Sequence, residues 1–282
     1  MMIPRAIYLR NRHHICFPRF RRYNFGMSDL PTDEYLSKKY PTRGSFVVDG
    51  KTVPIPSIYR GKALTAVFPV SYEKAAAMIH SKNLKPARLS FSKALLSVTA
   101  FDFSESPVGP YTELVFAVPV FCKSKINLPL APLLLSKYYR NFGFHVLDIF
   151  QSTTIAVKHG NLLTGYPHNS HLIDVEFVGS DYGVNVKVFN RDGIILSIKT
   201  SKPHTGKQVE NSHNTFFEKD ESFFKIGMDV IGHEQKINNC FIDFYRHDLS
   251  LPTAGLNISR KSIRTSYYPN VIEINPVTLE IL

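Results

Sequence analysis

The alternation of apolar and polar residues is the feature that most strongly constrains the fold of this sequence. Val184, Val186 and Val188 are spaced two apart, residues 190–193 supply a turn, and residues 194–198 return with a second apolar run. Asp49 and Gly50 separate two β-branched segments over residues 46–53, and this pair is among the strongest short-range cues for a hairpin. A spacing of two residues is the period of a strand, so the sequence predicts antiparallel hairpins.

Similar segments recur along the rest of the chain, and few segments have helical spacing. Further strands are predicted over residues 63–68, 86–103, 113–121, 144–157, 174–177, 223–230, 239–245 and 271–274. A short helix is predicted from Ser71, a capping residue, to about residue 80. The fold class is therefore mainly β with a few short helices (α+β), as a sandwich or a barrel. No βαβ rhythm, GxGxxG or phosphate-binding loop is present, so no nucleotide cofactor is expected.

Positive charge is concentrated at the start of the chain. The net charge is +11, and residues 1–26 contain six arginines and no acidic residue. We predict a basic tail over 1–26 and a single domain over 27–282. The tail is open to three interpretations: a non-native or dispensable start before Met27, a mitochondrial targeting segment, or a polyanion-binding arm. No nucleic-acid-binding motif supports the third, so no nucleic-acid partner is predicted.

The apolar runs and the cysteines of the sequence predict the cellular compartment of the protein. The longest apolar run, residues 128–135, is too short to span a membrane and contains Pro129 and Pro132. No secretory signal pattern follows the first basic residues. The three cysteines are far apart, which predicts neither a disulfide framework nor a CxxC metal site. We expect no membrane partner and a cytoplasmic protein, with mitochondrial import as the alternative.

Two motifs resemble the acetoacetate decarboxylase superfamily. The first is the turn and strand start Gly109-Pro110-Tyr111-Thr112-Glu113, similar to a Tyr-x-Glu element that brings a carboxylate to the mouth of a barrel. The second is residues 154–157, Thr-Ile-Ala-Val, followed by Gly165-Tyr166-Pro167. This stretch resembles the family's Ala-Ile-Ala-Val and Tyr-Pro-Lys-Lys. The resemblance covers about residues 55–200 and implies a cone-shaped β-barrel with surrounding antiparallel strands, in a homo-oligomer.

The family's chemistry depends on a lysine that this motif lacks. In the decarboxylases, a lysine forms a Schiff base with a ketone, and an adjacent lysine keeps it neutral and nucleophilic. Here His168 and Asn169 follow Tyr166-Pro167 where the family has the lysine pair. An imidazole cannot form an imine, so the resemblance implies a related site without Schiff-base chemistry. Lys158, expected on the preceding strand, is the local alternative.

The candidate site follows from this resemblance. Glu113 and His168 are the predicted catalytic residues, as acid, base or hydrogen-bond anchor. The predicted substrate-binding residues are Arg60, Tyr111, Tyr166 and Asn169. All of these residues except Asn169 have a simpler interpretation: a solvated turn carboxylate for Glu113, a loop histidine for His168, a surface charge for Arg60, and packing for the tyrosines. His168 and His171 have an HxxH spacing, but no further ligand completes a set, so no metal is predicted.

Three functions remain open from the sequence. The first is a divergent lyase, dehydratase or isomerase that acts on a small oxo-acid or related carbonyl compound by acid–base chemistry. The second is a non-catalytic binder of a small apolar ligand, since barrels of this kind enclose a ligand-sized cavity. The third is a true decarboxylase with a displaced lysine.

Overall fold

The computed structural model describes residues 30–124, 127, 129, 141–164, 166, 168–219, 222–245 and 255–282. The basic tail and most of the Leu-rich segment around residues 128–135 lie outside the described residues. The described residues form three α-helices and fourteen strands. The helices are α1 (Asp33–Lys39), α2 (Tyr72–Ala77) and α3 (Thr154–Leu163). The strands are β1 (Gly44–Val48), β2 (Lys51–Ile55), β3 (Ser57–Ser71), β4 (Leu84–Pro86), β5 (Lys93–Glu105), β6 (Tyr111–Cys122), β7 (Phe142–Gln151), β8 (Asp174–Ser180), β9 (Gly183–Asn190), β10 (Gly193–Thr200), β11 (Lys207–Lys219), β12 (Ser222–Ile237), β13 (Cys240–Phe244) and β14 (Arg264–Ile281).

Seven strands close into a barrel. The order is β6-β5-β3-β14-β12-β11-β7, and β7 returns to pair with β6. Every pair is antiparallel except β7 with β11, which is parallel. Strand β4 extends the sheet beside the end of β6. Because the barrel closes, each of these seven strands is paired on both sides along at least part of its length. An unpaired strand edge is the usual template for aggregation, and closure removes it.

A four-stranded antiparallel sheet, β13-β10-β9-β8, packs on one side of the barrel. The main core lies between them and includes Phe68, Phe116, Val186 and Leu196, all fully buried. The opposite side chains of β6 and β7 point into the barrel, where Ala117 and Val146 pack together. A separate cluster beneath α1 contains Leu36, Ile272 and Ile274. Successive residues of each barrel strand therefore alternate between interior and exterior.

The predicted fold class is confirmed, and several predicted elements are confirmed with it. The hairpin at Asp49-Gly50 is present, and both residues have the positive φ that this tight turn requires, 46° and 80°. The meander over β9 and β10 and the helix capped by Ser71 are also present. None of the described helices has both the length and the apolar composition to cross a lipid bilayer.

Two parts of the sequence interpretation are wrong. The strand predicted over residues 144–157 ends at Gln151, and α3 begins at Thr154. The Thr153 hydroxyl accepts a hydrogen bond from the Ala156 amide at 3.3 Å, so an N-cap overrides the β-branched composition. Lys158 therefore lies on a helix rather than on a strand. Strand β11 was not predicted, because its polar residues hide the alternation.

Candidate functional site

Glu113 and His168, the two predicted catalytic residues, are joined through Gln151. Glu113 on β6 lies directly opposite Gln151 on β7. The Gln151 Nε2 donates to Glu113 Oε2 at 2.7 Å, and Gln151 Oε1 lies 3.3 Å from His168 Nδ1. Gln151 is buried, whereas Glu113 and His168 each keep part of their surface accessible. Gln151 thus links two residues that are distant along the chain.

His168 is held between the end of α3 and strand β7. Its backbone bridges to Ile149, and its Nε2 lies 3.3 Å from the Thr164 hydroxyl. The ring lies so close to α3 that a Cβ added at Gly160 would be 2.0 Å from His168 Cε1. Gly160 therefore provides the space that the imidazole occupies.

This hydrogen-bond chain determines where the protons lie. A carboxylate only accepts, so with Glu113 ionised the amide nitrogen of Gln151 faces it and the amide oxygen faces His168. His168 Nδ1 then carries the proton, and Nε2 is unprotonated, 3.3 Å from the Thr164 hydroxyl, which donates to the Gly160 backbone oxygen at 3.1 Å. Burial, and then the charge of His159, lower the pKa of His168 to about 4, which keeps the ring neutral near pH 7.

A second carboxyl, Glu273, belongs to the same interior group and was not predicted. Glu273 on β14 lies opposite Tyr59 on β3, and both side chains are buried. Two residues further along β14, on the same face, Asn275 is buried and lies opposite Ser57. The Asn275 side chain acts to lower the pKa of Glu273, against the effect of burial. Its Oδ1 is the buried side-chain oxygen for which no partner is found among the described residues.

The two carboxyls influence each other's ionisation. Burial raises the pKa of Glu113 to about 7, although hydrogen bonds from Gln151 and Tyr111 act in the opposite direction. Burial and the charge of Glu113 raise the pKa of Glu273 to about 8. Near pH 7, Glu273 is therefore mainly a carboxylic acid and Glu113 is divided between its two forms. Two neighbouring carboxyls whose pKa values are both raised toward neutral pH can serve as acid and base.

Three tyrosines and a second histidine complete the interior group. Tyr111 lies two residues before Glu113 on β6, and the Tyr166 hydroxyl pairs with Thr215. The Tyr59 hydroxyl lies 3.4 Å from His159 Nε2. Burial raises the pKa of all three tyrosines and lowers that of His159 to about 4. These side chains are neutral hydrogen-bonding groups near pH 7.

The predicted residues Arg60, Asn169 and Lys158 point elsewhere. Arg60 forms ion pairs with Asp33 and, at 3.4 Å, with Glu105. Strand alternation places its side chain on the face opposite that of Tyr59. The Asn169 amide donates to Asp148 at 3.0 Å.

Lys158, the alternative lysine, lies on the exposed side of α3, where its ammonium pairs with Asp49 at 2.9 Å. His171 is exposed, and the described part of the chain contains no cluster of three or more metal-ligating side chains.

Comparison with solved structures identifies the class of fold. An acetoacetate decarboxylase structure matches with a TM-score of 0.58 and 12% identity, over 80% of this chain and 89% of the other. Acetoacetate decarboxylase from Legionella pneumophila matches with a TM-score of 0.59 and 10% identity, over 91% and 98%. The enduracididine biosynthesis enzyme MppR complexed with pyruvate matches with a TM-score of 0.52 and 8% identity, over 80% and 90%.

The chain therefore has the acetoacetate decarboxylase fold, as the two motifs predicted. At these identities the likeness establishes the fold alone. No protein-family model matches the sequence, and no curated protein sequence matches it.

Sequence reasoning missed Glu273, Gln151, Tyr59 and His159. A weak signal for Glu273 was present: Glu273 and Asn275 alternate with Ile272 and Ile274, so polar side chains share one face of an apolar strand. Only closure of the barrel makes that face an interior one. The other residues carried no comparable signal.

Proposed function

We propose that the interior site binds a small carbonyl compound, such as an oxo-acid or a ketone, and catalyses proton transfer at the carbon next to the carbonyl. The observation that carries the proposal is the Glu113–Gln151–His168 chain, in which a half-buried carboxyl has a pKa of about 7. A general base is most effective when its pKa is near the working pH. The fold shared with acetoacetate decarboxylase, and with MppR complexed with pyruvate, supports a carbonyl ligand.

In this proposal, Glu113 and Glu273 have complementary roles. The Glu113 carboxylate takes a proton from the α-carbon, and the C–H electron pair forms a C=C bond as the carbonyl π electrons move to oxygen. Glu273, which is mainly protonated near pH 7, gives its proton to that oxygen. The products are an enol, a protonated Glu113 and an ionised Glu273, and reversal of the steps restores the ketone. Elimination of a β-substituent from the same intermediate would be a lyase step.

His168 supports the base rather than the carbonyl. The ring is neutral, and its Nδ1–H holds the Gln151 oxygen, which in turn aims the amide N–H at Glu113. His168 is thus a positioning residue, and Tyr111 acts to lower the pKa of the base. No imine is needed for this chemistry, which suits a motif in which His168 replaces lysine.

Deuterium exchange tests the proposal directly. Hydroxyacetone, acetone or pyruvate is incubated with the protein in D2O, and loss of the α-proton signals is followed by NMR. The wild-type protein should accelerate exchange, and Glu113→Gln should slow it by about a hundredfold or more. His168→Ala should slow it less and change its pH profile. Binding without exchange would instead support a non-catalytic binder.

Borohydride trapping tests the alternative of a displaced lysine. A Schiff base between pyruvate and any lysine is reduced to a stable amine, which raises the protein mass. We expect no added mass, because Lys158 is ion-paired with Asp49 outside the interior group. An adduct on any lysine would replace the acid–base proposal with imine chemistry.

A further inference from the structure

Apolar side chains continue along the inner face of the barrel from the position of Glu113. We propose that the carbonyl compound bound at this site carries an uncharged hydrocarbon chain, which lies along the inner face of β6 and β7 while the carbonyl meets Glu113. This inference rests on the carbonyl binding of the proposed function and specifies the substrate class of the same site: a neutral alkyl ketone in preference to an oxo-acid.

The strand register places apolar residues directly beside the proposed base. Val115 follows Glu113 by two residues on the same face of β6, and it lies opposite Ile149 on β7. Ala117 and Val146 form the next pair along this face, in the same contact cluster. Four residues of a strand span about 13 Å, so these pairs extend from Glu113 far enough for an alkyl chain.

Aromatic side chains of the loop after α3 and of β11 and β12 belong to the same cluster. The rings of Tyr166 and Phe217 meet edge to face with centroids 5.6 Å apart, and Phe217 stacks on Phe224 at 4.9 Å. We call the strand residues of this cluster that carry the argument the apolar wall, and they are Val115, Ala117, Val146, Ile149, Phe217 and Phe224.

The apolar wall keeps contact with open space although the barrel encloses it. Its members are 5–8% exposed, apart from Val115, which is half-buried. On the outer face of β6, Leu114, Phe116 and Val118 are only 0–1% exposed. Space that admits water therefore lies on the inner side of this strand, where the chain of a ligand can occupy it.

The composition of the apolar wall determines which chain fits. Its six side chains are all hydrocarbon, so a carboxylate placed against them would lose its hydration without gaining a partner. Burial of one methylene group instead strengthens binding about threefold to fourfold. Arg60 and Lys158, the cations expected near the site from the sequence, pair with acidic residues elsewhere. A neutral ketone also leaves Glu273 mainly protonated, as the proposed function requires.

Three ketones isolate the contribution of the chain. Acetone has no chain, methyl butyl ketone has an apolar chain, and γ-acetylbutyrate has a chain of the same length in which a carboxylate replaces the terminal methyl group. Dissociation constants for the full-length protein are measured near neutral pH by ligand-observed NMR, which suits weak binding. We expect methyl butyl ketone to bind about tenfold or more tightly than either of the other two.

Substitutions in the apolar wall test where the chain lies. Ala117→Leu fills space on the inner face and should remove most of the preference for methyl butyl ketone over acetone. Ala77→Leu makes the same change at an exposed position on α2 and should leave the preference unchanged. Val146→Ala opens space on the facing strand, so it should increase the affinity for methyl hexyl ketone relative to methyl butyl ketone. The second variant keeps the test decisive if Ala117→Leu does not fold.

Measuring α-proton exchange beside binding distinguishes the inference from the proposed function. If acetone or γ-acetylbutyrate binds as tightly as methyl butyl ketone, the inference is refuted, and Glu113-dependent exchange of any ketone still supports the proposed function. If neither Ala117→Leu nor Val146→Ala changes the preference, the chain lies elsewhere and the inference fails. Preferential binding of methyl butyl ketone without exchange would support the ligand class and refute the catalysis. If none of the ketones binds, both are refuted.

Discussion

The Glu273 carboxyl is enclosed by other side chains of the barrel interior, and these surroundings determine its pKa. Removal from water disfavours the charged form, and the neighbouring Glu113 adds a like charge. The opposite partner on β3, Tyr59, is buried as well. The folded protein therefore holds a proton on Glu273 over a pH range in which an unfolded chain has already lost it.

This proton makes stability fall as pH rises. Between the ordinary glutamate pKa and the folded value of about 8, the folded state binds more protons than the unfolded state, so the free energy of unfolding decreases with pH. Glu273→Gln should remove this decrease. The difference in free energy of unfolding, variant minus wild type, should therefore grow by about 3 kcal/mol from low to high pH. Urea unfolding from about pH 5 to about pH 9 measures the difference. An unchanged slope would show that Glu273 ionises normally.

Gly160 illustrates how one missing side chain can position another. An alanine in a helix is normally more favourable than glycine by up to about 1 kcal/mol. In Gly160→Ala, however, the new methyl group would overlap the His168 ring, which must move away. We expect stability to change by less than about 1 kcal/mol, since a side chain can shift, while α-proton exchange falls about tenfold or more.

A matched glycine provides the control for that prediction. A Cβ added at Gly179 on β8 meets nothing within 4 Å, so Gly179→Ala should preserve exchange. Deuterium exchange and urea unfolding are measured on both variants. Wild-type exchange in Gly160→Ala would mean that the position of the His168 ring does not matter to the reaction.

At the scale of the elements, the pairing of β6 with β7 aligns Glu113 with Gln151. The register places the two side chains directly opposite each other, and the Gln151 amide stabilises the carboxylate form of Glu113. A hydrogen bond to the charged form lowers a carboxyl pKa.

Gln151→Leu should therefore raise the pKa of Glu113 above about 7. The acidic limb of the exchange rate against pH should move upward by about one pH unit, with a lower rate at neutral pH. Gln208→Leu, at an exposed position on β11, is the control for a general effect of the substitution. A limb that moves to lower pH, or that stays in place, would contradict the assignment of Glu113 as the base.

Some elements could be predicted from the sequence for clear physical reasons, and others could not. The hairpin at Asp49-Gly50 and the meander over β9 and β10 are local, because turn residues and strand alternation are neighbours in the chain. The start of α3 was missed because Thr-Ile-Ala-Val has strand-like residues, and the cap at Thr153 outweighs them. Strand β11 pairs with β12 along its whole length, and that partner determines its conformation.

At the scale of the whole molecule, barrel closure creates the site. The motifs identified Glu113 and His168, which lie in the part of the chain that resembles the decarboxylases. Glu273 and Asn275 come from the last strand, where the resemblance is weak, and they reach the interior only because β14 pairs with β3 and β12. A sequence pattern cannot show that contact, since it depends on the order of strands around the barrel.

Closure itself depends on a close approach between β7 and β11, the parallel pair. A Cβ at Gly143 would lie 2.4 Å from the backbone oxygen of Asn214, beside the register pair of Phe144 with Thr215. Backbone atoms cannot move aside as a side chain can, so Gly143→Val should destabilise the protein by about 2 kcal/mol or more in urea unfolding.

The same substitution should weaken the site, because Thr215 on β11 is the hydrogen-bond partner of Tyr166. Gly179→Val, on the separate four-stranded sheet, tests whether valine at an open glycine position is tolerated. If Gly143→Val were as stable as Gly179→Val and bound carbonyl ligands normally, then closure between β7 and β11 would not be what holds the interior group together.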